Sequence, residues 1–207
     1  MRSTLRLRSP FSIPPPATVP MVLPREFRDG AAAPQPGLTP LQVPASDGGL
    51  LPYRATAETA TLWWVGVHGW AGESTLSTLA ADTRPAEHAW PVAATPGTVP
   101  RVVLLARTNY SGLIAAQRAA TQWATDTTTN GIHLAGLALI ADTPGRLPRA
   151  LRELAEVITG GVPRTWYLPW IPAWRLGPVT PDFPLPAEFR ELFTELSLTT
   201  RRPHTHS

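Results

Sequence analysis

Residues 61–76 read TLWWVGVHGWAGESTL, and this stretch decides the fold class. Thr61 to Val67 is a continuous run of apolar, aromatic and β-branched residues, which is typical of a buried strand covered on both faces. Ser74 to Ala81 has apolar residues at helical spacing. The turn between them contains Gly69 and Gly72, which allow a tight bend. The stretch therefore predicts a strand, a glycine-rich turn and a helix.

The same alternation continues on the C-terminal side. The further predicted elements are strands over 101–106, 134–141 and 165–168 and helices over 112–124 and 148–158. Apolar strands that alternate with helices indicate an α/β fold with a mostly parallel sheet, and right-handed crossovers place helices on both faces. We expect this domain to span 59–178 and to be followed by an amphipathic helix and tail over 179–207.

Residues 1–58 have a different composition. They contain eleven of the 25 prolines and show no helical or alternating pattern. Because proline restricts φ and donates no hydrogen bond, this stretch buries too little apolar surface to offset its chain entropy. We expect a disordered, proline-rich arm. The alternative is that its Pro-x-x-x-Pro repeats form a polyproline II ligand for an aromatic-lined groove.

The composition excludes several kinds of chemistry. The 207 residues include no cysteine, which excludes disulfides, thiolate metal sites and a cysteine nucleophile. All 18 basic residues are arginine, which excludes a Schiff base and a phosphate-binding lysine. No apolar run approaches the roughly twenty residues that a membrane span needs, and the amino terminus lacks a secretory pattern. We expect a cytoplasmic protein without membrane contact.

The glycine-rich turn has the layout of a phosphate-binding loop. In such loops backbone N–H groups point inward, and the following helix adds a partial positive charge. A lysine contacts the β- and γ-phosphates, and the next Ser or Thr coordinates magnesium. Ser74 and Thr75 supply hydroxyl groups at those positions, but Glu73 stands where the motif has lysine.

This turn resembles the loop of the ParA/MinD partitioning ATPases, which runs Lys-Gly-Gly-x-Gly-Lys-Thr-Thr. The match places His68 at the first lysine and Glu73 at the second, and Trp70 replaces a glycine. The nucleotide-binding positions that the resemblance implies are Gly66, His68, Gly69, Gly72, Glu73, Ser74 and Thr75. The order of the later strands and helices is similar to that family's over about 60–178. The tryptophan-rich segments also look like an uncharacterised family of actinobacterial proteins.

The departures from the family's loop determine the predicted function. Two like charges about 4 Å apart repel by around 4 kcal/mol at an effective dielectric constant near 20, so Glu73 opposes triphosphate binding. His68 is mostly uncharged at neutral pH. We therefore expect a non-catalytic or very weakly active P-loop NTPase-like protein, a pseudo-ATPase that acts as an adaptor or regulatory subunit. The resemblance implies a setting in partition-like or mobile-element systems.

The alternative is an ATP-binding, ParA/MinD-like ATPase that uses Ser74, Thr75 and Asp142, with His68 in place of the loop lysine. It would take ATP and magnesium as cofactors, with Ser74 and Asp142 as magnesium ligands, whereas the adaptor needs no cofactor. Asp142 follows a buried strand and begins an Asp-x-x-Gly pattern. Each residue also has an ordinary interpretation: Asp142 as a turn residue, Glu73 as a first-turn acid and His68 as a hydrogen-bonded turn histidine.

Eight tryptophans are unusual for a chain of this length. Trp166, Trp170 and Trp174 recur every four residues, with prolines between them that exclude a continuous helix. In extended backbone these three side chains share a face and, with Trp70, could form a partner-binding surface, since tryptophan is enriched at interface hot spots. Core packing against the first strand is the alternative. We expect a protein partner, and the oligomeric state stays open.

Nucleic acid is not an expected partner. The net charge is only +3, and the basic residues occur in short pairs rather than in a large patch. DNA binding through Arg146, Arg149 and Arg152 is the weaker hypothesis, because Glu153 and Glu156 nearly neutralise that helix. We predict no catalytic residue and no metal-ligand cluster.

Overall fold

A parallel five-stranded sheet forms the centre of the protein in the computed structural model, which describes residues 49–201. The strands are β1 (Tyr53–Thr56), β2 (Leu62–Gly66), β3 (Thr83–Pro85), β4 (Trp90–Ala93), β5 (Arg101–Arg107), β6 (His133–Ile140) and β7 (Thr165–Leu168). The helices are α1 (Glu73–Leu79), α2 (Tyr110–Thr125), α3 (Arg149–Thr159), α4 (Ala173–Leu176) and α5 (Ala187–Glu195). A 3₁₀ turn spans Thr127–Gly131. Within the described residues, no helix is long and apolar enough to cross a bilayer.

The strand order of the central sheet is β3-β2-β5-β6-β7, and every neighbouring pair is parallel. The chain moves from β2 through α1 to β3 at one edge, and then from β5 through β6 to β7 at the other. This is a common order of doubly wound sheets. The direction changes between β2 and β5, and ligands of open α/β sheets bind beside the carboxyl ends of the strands at that switch point.

Helices cover both faces of the sheet, as the crossover rule predicts for strands added in opposite directions. Trp63 faces the core under α2 and α3, and Trp64 faces the core under α1 and α5. The Trp64 ring lies 6.4 Å from the ring of Phe193 in α5. The predicted α/β class, with a mostly parallel sheet flanked by helices, is therefore confirmed.

The folded region begins before residue 59, where the sequence analysis placed the boundary. β1 pairs with β4 in a second, two-stranded parallel sheet, and Leu51 belongs to the core. The buried side chain of Gln122 accepts a hydrogen bond from the Leu51 N–H (2.9 Å) and donates one to the Leu51 carbonyl oxygen (2.9 Å). These contacts join residues 71 positions apart, so no local pattern indicates them. The rest of the predicted arm, 1–48, lies outside the described residues.

The C-terminal segment packs on the same core. Phe189, Leu192 and Phe193 of α5 are buried beside β7. The backbone N–H of Arg201 donates to the carbonyl oxygen of Leu79, 2.7 Å away. Residues 179–201 therefore complete one helical layer of the α/β domain.

Candidate functional site

The stretch around the glycine-rich turn is a strand, a bend and a helix, as predicted. β2 ends at Gly66, and α1 begins at Glu73. Gly72 has a φ of 107°, a left-handed conformation that favours glycine. Trp70 has a φ of 64°, so its backbone adopts a conformation that glycine adopts more easily. The Trp70 side chain is 93% exposed, which leaves the bend open.

Glu73 points into the protein. Only 7% of this residue is exposed, and its Oε1 accepts hydrogen bonds from the backbone N–H of Gly66 and from that of His88, the latter at 3.0 Å. The His88 Nδ1 lies 2.8 Å from the carbonyl oxygen of Gly66, to which its N–H donates. We call these three residues the Glu73 clamp. The clamp ties the end of β2 to the connection between β3 and β4.

His68 forms hydrogen bonds through both ring nitrogens. Its Nδ1 lies 2.7 Å from the carbonyl oxygen of Gly69, and its Nε2 lies 3.0 Å from the backbone N–H of Arg107. A carbonyl needs a donor and an N–H needs an acceptor, so this pattern assigns the neutral tautomer with the proton on Nδ1. Burial lowers the pKa of His68. His68 therefore joins the turn to β5 as an uncharged group and supplies no positive charge.

Acidification should destabilise the fold through His68. The pKa is lowered in the folded state only, so the unfolded chain takes up a proton first, near pH 6.5. Stability is thus complete above about pH 6.5 and is lost as the pH falls toward the folded-state pKa, by at most about 1.4 kcal/mol per pH unit. Urea unfolding between about pH 7.5 and pH 5.5 measures this slope.

His68→Gln tests whether His68 causes this slope, and His133→Gln is its control. His68→Gln should flatten the pH dependence, whereas His133→Gln, at an exposed position, should retain it. The lowered carboxyl pKa values of Asp126, Asp182 and Glu195 affect stability at lower pH. An unchanged slope in His68→Gln would show that His68 is not the titrating group.

A cleft of about 590 Å³ lies beside the turn, at the carboxyl ends of β2, β5 and β6. It includes nine of the residues that the sequence analysis singled out: His68, Gly69, Trp70, Gly72, Ser74, Thr75, Asp142, Trp170 and Trp174. The cleft lies next to the topological switch point, where such sheets bind ligands. Gly66 and Glu73 belong to the clamp and do not line the cleft.

Trp166 does not share a surface with Trp170 and Trp174. It lies in β7, is 7% exposed, and its Nε1 donates to Glu195 Oε2 at 2.6 Å, so it is a core residue. Trp174 lies in the short helix α4, and its ring packs 5.2 Å from that of Phe189. The backbone is not extended across this segment, because α4 begins immediately after Pro172.

Two cations of the cleft were not predicted. Arg107, at the end of β5, donates from Nε to the carbonyl oxygen of Trp70 (3.2 Å) and from Nη1 to that of Ala141 (3.1 Å). Burial lowers the pKa of Arg107, and the nearby Asp142 carboxylate opposes that shift. The guanidinium carbon of Arg175 lies 4.8 Å from the ring centroid of Trp170. The only sequence signal for Arg107 was its place directly after a buried strand.

The charged residues around the turn differ from those of a lysine-bearing phosphate loop. The loop has no cation, since Glu73 is in the clamp and His68 is neutral. Among the described residues that line the cleft, Asp142 is the only acid. Residues 49–201 contain no group of three His, Cys, Asp or Glu side chains that could hold a metal ion.

Comparison with known proteins identifies a family for this chain. No curated protein and no solved structure is significantly similar to this chain. The model of one protein family matches residues 60–188, which is more than half of the chain and includes every residue of the cleft. On this evidence the chain belongs to the family of unknown function DUF6668.

Proposed function

We propose that this chain is a non-catalytic, P-loop-like protein that acts as a cytoplasmic adaptor or regulatory subunit and binds a protein partner. The observation that carries the proposal is the Glu73 clamp. The residue at the lysine position of the loop is a buried carboxylate that accepts hydrogen bonds from Gly66 and His88. The partition-like or mobile-element setting stays a prediction from the resemblance.

The geometry of the bend supports kinship with a phosphate-binding loop. Trp70 and Gly72 both have positive φ, so the backbone bends as a glycine-rich loop would, although one glycine has been replaced. A non-glycine residue in this conformation costs roughly 1–2 kcal/mol. These φ values support the proposal of a phosphate-loop-like bend that lacks the lysine.

The chemistry of the cleft supports binding rather than catalysis. The two turn residues that catalysis would use as charged groups are engaged elsewhere: Glu73 accepts backbone N–H groups, and His68 links Gly69 to Arg107. Aromatic and guanidinium groups, which are common at protein interfaces, line the opening instead. The cleft therefore suits a ligand that is held without being cleaved.

Calorimetric titration with Mg-ATP and Mg-GTP tests this function. We expect a Kd weaker than about 1 mM for both, because no loop cation offsets the phosphate charge. A low-micromolar Kd for either nucleotide that Ser74→Ala abolishes would contradict the proposal. The matched control is Ser77→Ala, which changes a hydroxyl group in the same helix but outside the cleft.

The second candidate is the ATP-binding alternative, and one observation favours it. Ser74, Thr75 and Asp142 all line the same cleft, as that hypothesis requires. The same titration decides between the two functions. Binding that depends on Ser74 and on Asp142 would favour the ATPase.

A further inference from the structure

The backbone conformation of Trp70 costs free energy, and burial of its side chain does not offset that cost. Its φ of 64° is unfavourable for a residue with a side chain, and the residue is 93% exposed, so it buries little apolar surface in return. Strained residues of this kind concentrate at functional sites. The feature to be explained is therefore an aromatic ring held in solvent beside the cleft.

The lining of the cleft also contains a second aromatic group and a cation. Trp170 and Arg175 stack at 4.8 Å, and both line the cleft. A guanidinium on an aromatic ring keeps N–H donors free at its edge for an anion. Ile171 and Val179 add apolar surface to the lining of the cleft. This lining can thus contact an apolar group and an anionic group side by side.

The charges of the cleft suit a singly charged anion. Arg107 and Arg175 are opposed by the carboxylate of Asp142, and His68 is neutral by its hydrogen bonds. Arg107 lines the cleft, and its hydrogen bonds to two backbone carbonyl oxygens fix the orientation of its guanidinium group. One net positive charge complements one carboxylate. A phosphate group, with nearly two negative charges, would leave charge uncompensated.

We propose that this cleft binds a carboxylate-bearing peptide segment of a partner protein, in which an apolar or proline side chain neighbours an Asp or Glu. Arg107 and Arg175 contact the carboxylate, and Trp70 and Trp170 contact the apolar group. This inference rests on the proposed adaptor function and names the chemistry of its partner.

A positional-scanning library of acetylated octapeptides tests the proposal on the full chain. Peptides with a fixed Asp or Glu should bind best, and those with a fixed Lys or Arg should bind worst. Fluorescence anisotropy of the best labelled peptide then gives its Kd. Trp70→Gly and Arg175→Gln should each weaken binding at least about tenfold. Arg152→Gln, an exposed arginine of α3 outside the cleft, should leave it unchanged.

Trp70→Gly distinguishes a loss of peptide binding from a loss of stability. Because glycine tolerates positive φ, this variant should be as stable as the natural chain or more stable, while it loses the peptide. The proposal is overturned if no acidic peptide binds at about 1 mM, or if Trp70→Gly and Arg175→Gln bind as well as the natural chain. Neither result alters the nucleotide titration. Displacement of a bound peptide by micromolar Mg-ATP would overturn the proposed function as well.

Discussion

We expect that replacement of Glu73 by lysine destabilises the protein and does not confer nucleotide binding. The clamp carboxylate accepts hydrogen bonds from the backbone N–H groups of Gly66 and His88, and lysine accepts none. Each buried N–H left without a partner costs roughly 1–3 kcal/mol. We therefore expect the free energy of unfolding to fall by about 3 kcal/mol or more. Urea denaturation measures the change.

Two variants serve as controls for this prediction. Glu73→Gln keeps a carbonyl acceptor without the charge and should lose only about 1 kcal/mol. Ser74→Lys adds a lysine at the next, exposed position and should be nearly neutral. A Glu73→Lys protein that is as stable as the natural one and binds Mg-ATP would contradict the structural role of the clamp. It would also show that only charge separates this loop from a nucleotide site.

Of the substitutions that add a single methyl group to the central sheet, Gly136→Ala should lower the stability of the protein most. A Cβ at this position would lie 2.4 Å from the carbonyl oxygen of Arg164 and 2.7 Å from Cζ3 of Trp166. The first contact is with a backbone atom, which cannot relieve the clash by a change of rotamer as a flexible side chain can. The register between β5 and β6 also shifts here, between Val102 and Val103. We expect a loss of about 3 kcal/mol or more in the free energy of unfolding.

The control for this substitution is Gly131→Ala. A Cβ at Gly131 would meet no atom within 4 Å, so its effect should stay within about 0.5 kcal/mol. Chemical denaturation of both variants compares them directly. Equal stability of Gly136→Ala and the natural chain would mean that β7 does not pass as close to β6 as the structure has it.

Three of the four strands that the sequence predicted correctly are buried on both faces, and the fourth, β7, has an exposed Tyr167. β2, β5 and β6 consist almost wholly of buried apolar residues, so their composition alone identifies them. β7 is short, but its residues Thr-Trp-Tyr-Leu favour a strand. β1, β3 and β4 were missed because they are equally short, partly exposed, and contain alanine or proline, which strands disfavour. Such strands are stabilised by pairing with partner strands that are distant in sequence. The position of Leu51 against Gln122 has the same origin.

The candidate site, too, could be predicted only in part from the local sequence. Local pattern was enough to predict the strand, the bend and the helix around Gly72, because a buried run and its glycines act within a few residues. The direction of the Glu73 side chain was decided only when β2 and the His88 backbone came together and offered it two N–H groups. Arg107 reached the cleft through the parallel alignment that brings the ends of separate strands to one edge, and Arg175 reached it from the short helix α4, which follows β7. Residue type is a property of the chain, whereas the partners that orient a charged side chain exist only in the folded protein.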